Sequence, residues 1–143
     1  MIQYVQGNIL ETTAKVIVNP VNTVGVMGKG LALHLKNKYP NMFKKYQYAC
    51  DHHLLSIGAL MLCKEDEHWI LLFPTKIHWK NPSKIEYIEA GLKKFVSTYQ
   101  SKQIKSIAFP KLGCGNGGLD WEQVNALIES YLREIPIDVY IYI

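Results

Sequence analysis

NPVNTVGVMGKGLAL, residues 19–33, runs from an apolar strand through a turn rich in asparagine and glycine and then into a helix. Glycine lets the backbone pass close to a ligand, and the free N–H groups at the start of a helix attract anions. The amides of Asn19 and Asn22 are available to hydrogen-bond a sugar. The stretch therefore predicts a strand-turn-helix unit with an anion site at its turn.

A second turn of the same kind, GCGNGG at residues 113–118, lies between a predicted strand and a predicted helix near the other end of the chain. Seven of the ten glycines fall in these two stretches. Two such turns in one small domain favour a shared ligand that carries phosphate. A nucleotide is the first hypothesis for that ligand.

The hydrophobic pattern alternates between short strands and helices, which predicts a three-layer α/β/α domain with a mixed, largely parallel sheet. In such a domain the turns that follow the strands meet at one edge of the sheet. Asn41 and Asp120 are expected helix caps, and Ser83 with Glu86 has the spacing of a capping box. The predicted strands are 2–6, 16–19, 59–64, 69–73, 104–109 and 137–143, and the predicted helices are 29–38, 41–50, 83–99 and 120–133.

Length and composition, 143 residues of which 48% are hydrophobic, indicate a single domain over residues 1–143. The longest apolar runs are too short to cross a membrane, and the first residues lack the charged and apolar regions of a signal peptide. We therefore expect a cytoplasmic protein with no membrane partner. The three cysteines form no C-x-x-C pair, which argues against a disulfide framework and against zinc, so we expect no metal and no cofactor.

The net charge of +4 is modest, but the acidic residues are unevenly spread. None occurs between Glu11 and Asp51 or between His68 and Ile85, and both stretches carry several lysines. If the two stretches share a face, they would attract a polyanion such as DNA; otherwise they form an ordinary solvated lysine-rich surface. With a single arginine, Arg133, bidentate reading of base edges is not expected.

Two better-known phosphate motifs do not fit. The dinucleotide pattern G-x-G-x-x-G is matched by Gly113, Gly115 and Gly118. That motif belongs in the first β-α-β unit and is followed by an acid at the end of the next strand, whereas this turn lies near the other end of the chain. Residues 25–31 lack the lysine and hydroxyl that end a Walker A loop. These mismatches exclude an NAD dehydrogenase and a P-loop ATPase.

Four segments together resemble the macrodomain family, whose fold binds ADP-ribose. Within that family, residues 21–30 and the segment FPTKIHWK at 73–80 are similar to the DarG antitoxin branch, and more distantly to the terminal ADP-ribose protein glycohydrolase group. The resemblance implies an antitoxin that removes ADP-ribose from thymidine bases in single-stranded DNA, with a cognate ADP-ribosyltransferase toxin as a partner. The four segments are QGNIL at 6–10, VNPVN at 18–22, MGKGLA at 27–32 and FPKLGCG at 109–115.

The resemblance also implies which residues contact ADP-ribose. Asn8 stands where many macrodomains have an aspartate that contacts adenine, and its amide oxygen can accept the same hydrogen bond. Asn22 corresponds to the asparagine at the distal ribose; otherwise it is a turn residue that bonds its own backbone. The second glycine turn would wrap the pyrophosphate. The implied ADP-ribose-binding residues are Asn8, Ile9, Asn22, Met27, Gly28, Gly30, Thr75, Gly113, Cys114, Gly115, Asn116, Gly117 and Gly118.

Lys76 is the candidate catalytic residue. Glycosidic bonds are usually cleaved by two carboxylates, yet neither glycine turn contains an acid. An amine that is partly desolvated and close to other cations can exchange protons with the leaving base or the sugar, or attack the anomeric carbon. The resemblance places a catalytic lysine at this position, which follows a predicted strand. The alternative is a surface lysine that neutralises phosphate.

The substrate is predicted from residues beside the two turns. The protein glycohydrolase group carries an aspartate where this chain has Gly117, which favours the branch that acts on DNA. His78, Trp79 and Lys80 are candidate DNA contacts because aromatic side chains stack on exposed bases, although Trp79 is equally explained as a core anchor. Two alternatives stay open: a non-catalytic module that binds ADP-ribose, and a hydrolase of ADP-ribosylated protein.

Overall fold

The computed structural model describes all 143 residues, which form a six-stranded sheet between two pairs of helices. The strands are β1 (Ile2–Val5), β2 (Val16–Asn22), β3 (Met61–Lys64), β4 (Trp69–Lys76), β5 (Ser106–Phe109) and β6 (Asp138–Tyr142), and the helices are α1 (Gly30–Lys38), α2 (Pro40–Asp51), α3 (Ile85–Thr98) and α4 (Trp121–Leu132).

The strand order is β1-β6-β5-β2-β4-β3, and every neighbouring pair is parallel except β3 and β4. The predicted three-layer α/β/α architecture with a mixed, largely parallel sheet is confirmed. Because five strands run in one direction, their carboxyl ends meet at a single edge, here called the carboxyl edge. No helix is both long and apolar enough to cross a membrane.

The sheet has a hydrophobic core on each face, and β2 and β4 contribute to both. Val16 and Val18 pack with α3 and α4, whereas Ile17 between them packs with α1 and α2. This alternation follows from the two-residue period of a strand. A strand buried on both faces lies in the middle of the sheet, so the ends of β2 and β4 are fixed by packing from above and below.

β2 and β4 are longer than the sequence predicts. β2 continues through Pro20 to Asn22, and β4 continues through Pro74 to Lys76, so Lys76 is the last residue of a strand and does not lie in a turn. Proline usually marks a strand's end because it has no N–H to donate. Here only the first two residues of β2 pair with β5. Pro20 therefore lies in the part of β2 that is no longer paired with β5.

Two of the three predicted helix caps are wrong. Asn41 lies inside the first turn of α2, because Pro40 is well suited to open a helix and Tyr39 takes the cap position. Ser83 caps nothing: Lys84 precedes α3, and the backbone N–H of Ser83 donates instead to the carbonyl of Gly117 at 3.0 Å. The third cap is confirmed, since the Asp120 carboxylate accepts from the backbone N–H of Gln123 at 3.2 Å.

Candidate active site

The cleft at the carboxyl edge opens where β2 and β5 separate. β2 pairs with β5 only at Val16 and Ile17, while its pairing with β4 continues as far as Asn22 and Lys76. The helices that follow β2 cover one face of the sheet, and α4, which follows β5, covers the other. A crevice at such a reversal is where open α/β sheets bind ligands. The two glycine turns lie on either side of it.

Free backbone donors border this cleft on both sides. In the first glycine turn (residues 23–29) the N–H groups of Gly28 and Lys29 make no loop hydrogen bond, and α1 begins directly after them. In the second glycine turn (residues 113–118) the N–H groups of Gly115 and Asn116 are similarly free. Backbone N–H groups and a helix N-terminus form a suitable site for phosphate oxygens.

Lys76 joins the two sides of the cleft. Its Nζ donates to the carbonyl of Asn116 in the second glycine turn at 3.1 Å and to the carbonyl of Trp79 at 3.3 Å. The one ion pair of the chain, between Lys38 and Glu67, involves other residues, so no carboxylate neutralises this amine. An ammonium has three donors, of which two are used here. The remaining position, an N–H of the ammonium or the lone pair of the neutral amine, is available to a ligand.

Two glycines of the second turn lie close against neighbouring side chains. Gly113 has a φ of +71°, and an added Cβ would lie 2.7 Å from Cδ1 of Leu119. At Gly117 an added Cβ would lie 2.6 Å from the hydroxyl oxygen of Ser83. Distances this short cannot be kept without a shift in the neighbouring residue. The turn is therefore packed against the segment before α3, and a side chain at Gly117 requires the Ser83 side chain to move.

Asn22 closes the first glycine turn with its own side chain. Its Oδ1 accepts from the backbone N–H groups of Val24 at 3.1 Å and Val26 at 3.3 Å, and its Nδ2 donates to the carbonyl of Val26 at 2.7 Å. The geometry thus matches the turn-residue alternative. One N–H of the amide stays free, so a contact with a ribose would have to use the amide as a donor.

Tyr46 is a site residue that sequence reasoning missed. It is fully buried in α2, and its hydroxyl lies 2.7 Å from Oδ1 and 2.8 Å from the carbonyl oxygen of Asn22. Burial raises the pKa of this phenol, so it is neutral and acts as the donor at neutral pH. The hydroxyl therefore ties the first glycine turn to α2. No local pattern connects two residues that are 24 positions apart in the sequence.

Other predicted ADP-ribose residues lie around the carboxyl edge in different settings. The Oδ1 of Asn8 accepts from the backbone N–H of Leu10 at 3.0 Å, so it caps the short 3-10 turn at Ile9–Glu11. Met27 and Thr75 are buried, whereas Gly28 and Gly30 are exposed. Burial raises the pKa of the Cys114 thiol, which opposes a role as nucleophile.

The predicted DNA contacts lie just beyond Lys76. Trp79 is 47% exposed and stacks on His78, with ring centroids 5.3 Å apart. The Nζ of Lys80 lies 5.1 Å from the centre of the Trp79 ring. An indole this exposed is not a core anchor, so that alternative is wrong. The segment presents an aromatic surface and a positive charge next to the candidate catalytic amine.

The charges differ between the two edges of the sheet. Lys76 ends β4, and Lys80 and Lys111 follow β4 and β5 at the carboxyl edge. The opposite edge carries Lys15, Lys64 and Lys105, but also the acidic turn 65–67 and Asp138. The lysines beside the cleft favour a polyanion there.

Comparisons with known proteins identify the family of this chain. The Macro domain model matches residues 18–128. The DNA ADP-ribosyl glycohydrolases of Thermus aquaticus and Mycobacterium tuberculosis are 42% and 43% identical over 99% of this chain. A DNA ADP-ribosyl transferase-DNA ADP-ribosyl glycohydrolase fusion protein of Thermosipho africanus is 40% identical over 97% of it. The chain spans only 41–42% of the length of these relatives.

Solved structures show the same fold. The macrodomain of Thermus aquaticus DarG is 41% identical with a TM-score of 0.95, and the match covers 100% of this chain and 98% of that one. Thermosipho africanus DarTG in complex with ADP-ribose is 41% identical with a TM-score of 0.94, and the match covers 99% of this chain and 41% of that one. Among the relatives matched by sequence, the human ADP-ribose glycohydrolase OARD1 is more distant, at 26% identity over 81% of this chain and 73% of its own length. The chain belongs to the Macro domain family.

Proposed function

We propose that this macrodomain is a DNA ADP-ribosyl glycohydrolase that releases ADP-ribose from thymidine bases in single-stranded DNA. Four relatives of at least 40% identity carry DNA ADP-ribosyl glycohydrolase in their names, and one of them is fused to the corresponding transferase. The observation that carries the proposal is the position of the Lys76 amine, which is held across the cleft by the carbonyls of Asn116 and Trp79.

ADP-ribose would bind along the cleft, between the two glycine turns. The free N–H groups of Gly28, Gly115 and Asn116, with the N-terminus of α1, would hold the pyrophosphate. The distal ribose would then reach the end of β4, with Asn22 donating its remaining N–H to a hydroxyl. Asn8 and Ile9 would face the adenine. We assign both binding and hydrolysis to the single domain of residues 1–143.

The reaction breaks the bond between the anomeric carbon of the distal ribose and the thymine nitrogen, and the oxygen of water ends on that carbon. The thymine nitrogen leaves with a proton. As an ammonium, Lys76 has one N–H left to donate to the leaving base or to the sugar. As a neutral amine, its lone pair points to the same place and can accept a proton or attack the anomeric carbon. Both routes require the amine beside the scissile bond.

A hydrolase that acts on ADP-ribosylated protein is the second candidate function. The protein glycohydrolase group has an aspartate at the position of Gly117, and here a side chain at that position would require Ser83 to move. No carboxylate pairs with Lys76. A lysine–carboxylate pair is therefore absent from the site, and this supports DNA as the substrate. A module that only binds ADP-ribose would have no need for an amine fixed at this position.

The partners follow from the same proposal. His78, Trp79 and Lys80 would contact the DNA strand, because they are next to Lys76 and form an exposed aromatic and cationic surface. A cognate DNA ADP-ribosyltransferase toxin would supply the substrate, as the fusion in Thermosipho africanus supports. Since such modified DNA is found inside the cell, we place the protein in the cytoplasm.

The test compares two substrates: a single-stranded oligonucleotide with one ADP-ribosylated thymidine, and an ADP-ribosylated protein. We expect release of ADP-ribose from the oligonucleotide and little from the protein, measured by chromatography of the freed nucleotide. Lys93→Ala, at an exposed position of α3, controls for the loss of a surface lysine. Binding of ADP-ribose without release from either substrate would show a passive binding module. Faster release from the protein would show a hydrolase of ADP-ribosylated protein.

A further inference from the structure

A second groove opens at the carboxyl edge directly beside Lys76 and has no part in the site described so far. It has a volume of about 420 Å³ and lies between the ends of β2 and β4 and the loop that follows α2. Two of its residues, Thr23 and Ile77, come immediately after the paired strand ends Asn22 and Lys76. The groove is lined by Thr23, His53, Leu55, Ser56, Ile57 and Ile77.

One wall of this groove is held rigidly. The backbone N–H and the hydroxyl of Thr23 both donate to the carbonyl oxygen of Ile77, at 3.1 Å and 2.7 Å. The Ile77 side chain remains 50% exposed, so it is open to contact from outside the chain. A fixed backbone that presents an exposed apolar side chain is a preformed contact surface.

The lining of the groove combines apolar contact with a few polar groups. Leu55 is buried and belongs to the core on the side of α1 and α2, so it is a rigid floor. The side chains of Ser56 and His53 are exposed and make no hydrogen bond within the chain, so both can bond a ligand. Apolar walls with a small number of polar groups are typical of a site for a small planar molecule.

The position of the groove limits which part of the substrate can reach it. The N–H groups that would hold the pyrophosphate, those of Gly28, Gly115 and Asn116, do not line this groove, whereas Ile77, the residue after Lys76, does. With the pyrophosphate at those N–H groups, the group bonded to the distal ribose is the part of the substrate left to enter the groove. A thymine has a methyl group for the apolar lining and carbonyl oxygens that accept hydrogen bonds from a hydroxyl or an imidazole.

We propose that this groove is the acceptor pocket of the proposed glycohydrolase: it holds the thymine from which ADP-ribose is cleaved, with the base against Leu55, Ile57 and Ile77 and its oxygens near Ser56 and His53. The inference rests on the proposed function, since it names the base subsite of that reaction. It makes the chain selective for its acceptor through contacts that ADP-ribose itself does not use.

The test uses Ile77→Ala and Ser56→Ala, with Leu54→Ala as the matched control. Leu54 is 58% exposed in the same loop but does not line the groove. We measure hydrolysis of ADP-ribosylated thymidine as the free nucleoside and within an oligonucleotide, and binding of ADP-ribose by calorimetry. Ile77→Ala should raise KM for the nucleoside by about five- to tenfold through lost apolar contact. Ser56→Ala should raise it by about fivefold, while ADP-ribose affinity and Leu54→Ala stay within about twofold of wild type.

Several results would refute the acceptor-pocket proposal and leave the proposed function intact. Unchanged KM in both variants, with hydrolysis intact, would show that the groove holds no part of the substrate. An increase seen only with the oligonucleotide would place a neighbouring nucleotide there. Unchanged hydrolysis with weakened capture of the purified transferase would assign the groove to that protein partner. If wild type itself releases no ADP-ribose from DNA, the proposed function fails first and the pocket with it.

Discussion

Lys76→Ala removes the amine that spans the cleft, and the structure indicates how the loss divides between stability and activity. The two carbonyls that accept from Nζ, those of Asn116 and Trp79, belong to exposed residues, so water can replace the lysine. We therefore expect the free energy of unfolding to fall by no more than about 0.5 kcal/mol. Loss of a group that moves a proton in the transition state costs about 10²- to 10⁴-fold in rate, or about 3–5 kcal/mol.

Lys76→Arg separates chemistry from charge. Arginine keeps the positive charge and the donors, but it does not lose its proton in proteins and is a poor nucleophile. The assay is single-turnover release of ADP-ribose from a thymidine-modified oligonucleotide, with ADP-ribose affinity measured in parallel. We expect both variants to bind ADP-ribose within a few-fold of wild type and both to lose most of the rate. An arginine variant that retains at least half of the wild-type rate would refute the reasoning, because charge alone would then suffice.

Three further predictions concern the support of the site. Tyr46→Phe removes the hydroxyl that holds Asn22, so urea unfolding should show a loss of about 1–2 kcal/mol together with weaker ADP-ribose binding; unchanged values would mean that this hydrogen bond is dispensable. Gly117→Asp brings a Cβ to 2.6 Å from the Ser83 hydroxyl, so the melting temperature should fall by an amount equivalent to about 1–3 kcal/mol, and Ser83→Gly should restore part of it. A stable Gly117→Asp protein would disprove the tight packing of the turn. Trp79→Ala should weaken oligonucleotide binding by about 1–3 kcal/mol through lost stacking, and Lys80→Ala should reduce the salt dependence of that binding; equal affinities in gel shifts would remove this segment from the DNA surface.

The sequence predicts the layout of the site because that layout depends on local patterns. Strands with a two-residue hydrophobic period and helices between them require a largely parallel sheet, and parallel strands bring their following turns to one edge. The glycine turns at 23–29 and 113–118 could therefore be placed together without a structure. The Asp120 cap was equally predictable, since it depends on the backbone N–H three residues away.

What the sequence could not show depends on tertiary contacts. The sequence predicts that these strands end before Pro20 and Pro74, yet pairing between β2 and β4 carries both strands beyond them and sets the position of Lys76. Ser83 matches a capping pattern, but it caps no helix, and its backbone N–H donates to the carbonyl of Gly117 in the second glycine turn. Tyr46 reaches Asn22 only because α2 packs over the end of β2. In each case a neighbour distant in sequence overrides the local preference.

The most direct test of the central claim is a crystal structure of the wild-type protein with ADP-ribose. It measures the distance from the Nζ of Lys76 to the anomeric carbon of the distal ribose. We predict about 3–4 Å, the separation of groups that react, with the pyrophosphate between the two glycine turns. A distal ribose bound elsewhere, with Nζ turned into bulk solvent, would contradict the account and leave a domain that binds ADP-ribose without cleaving it.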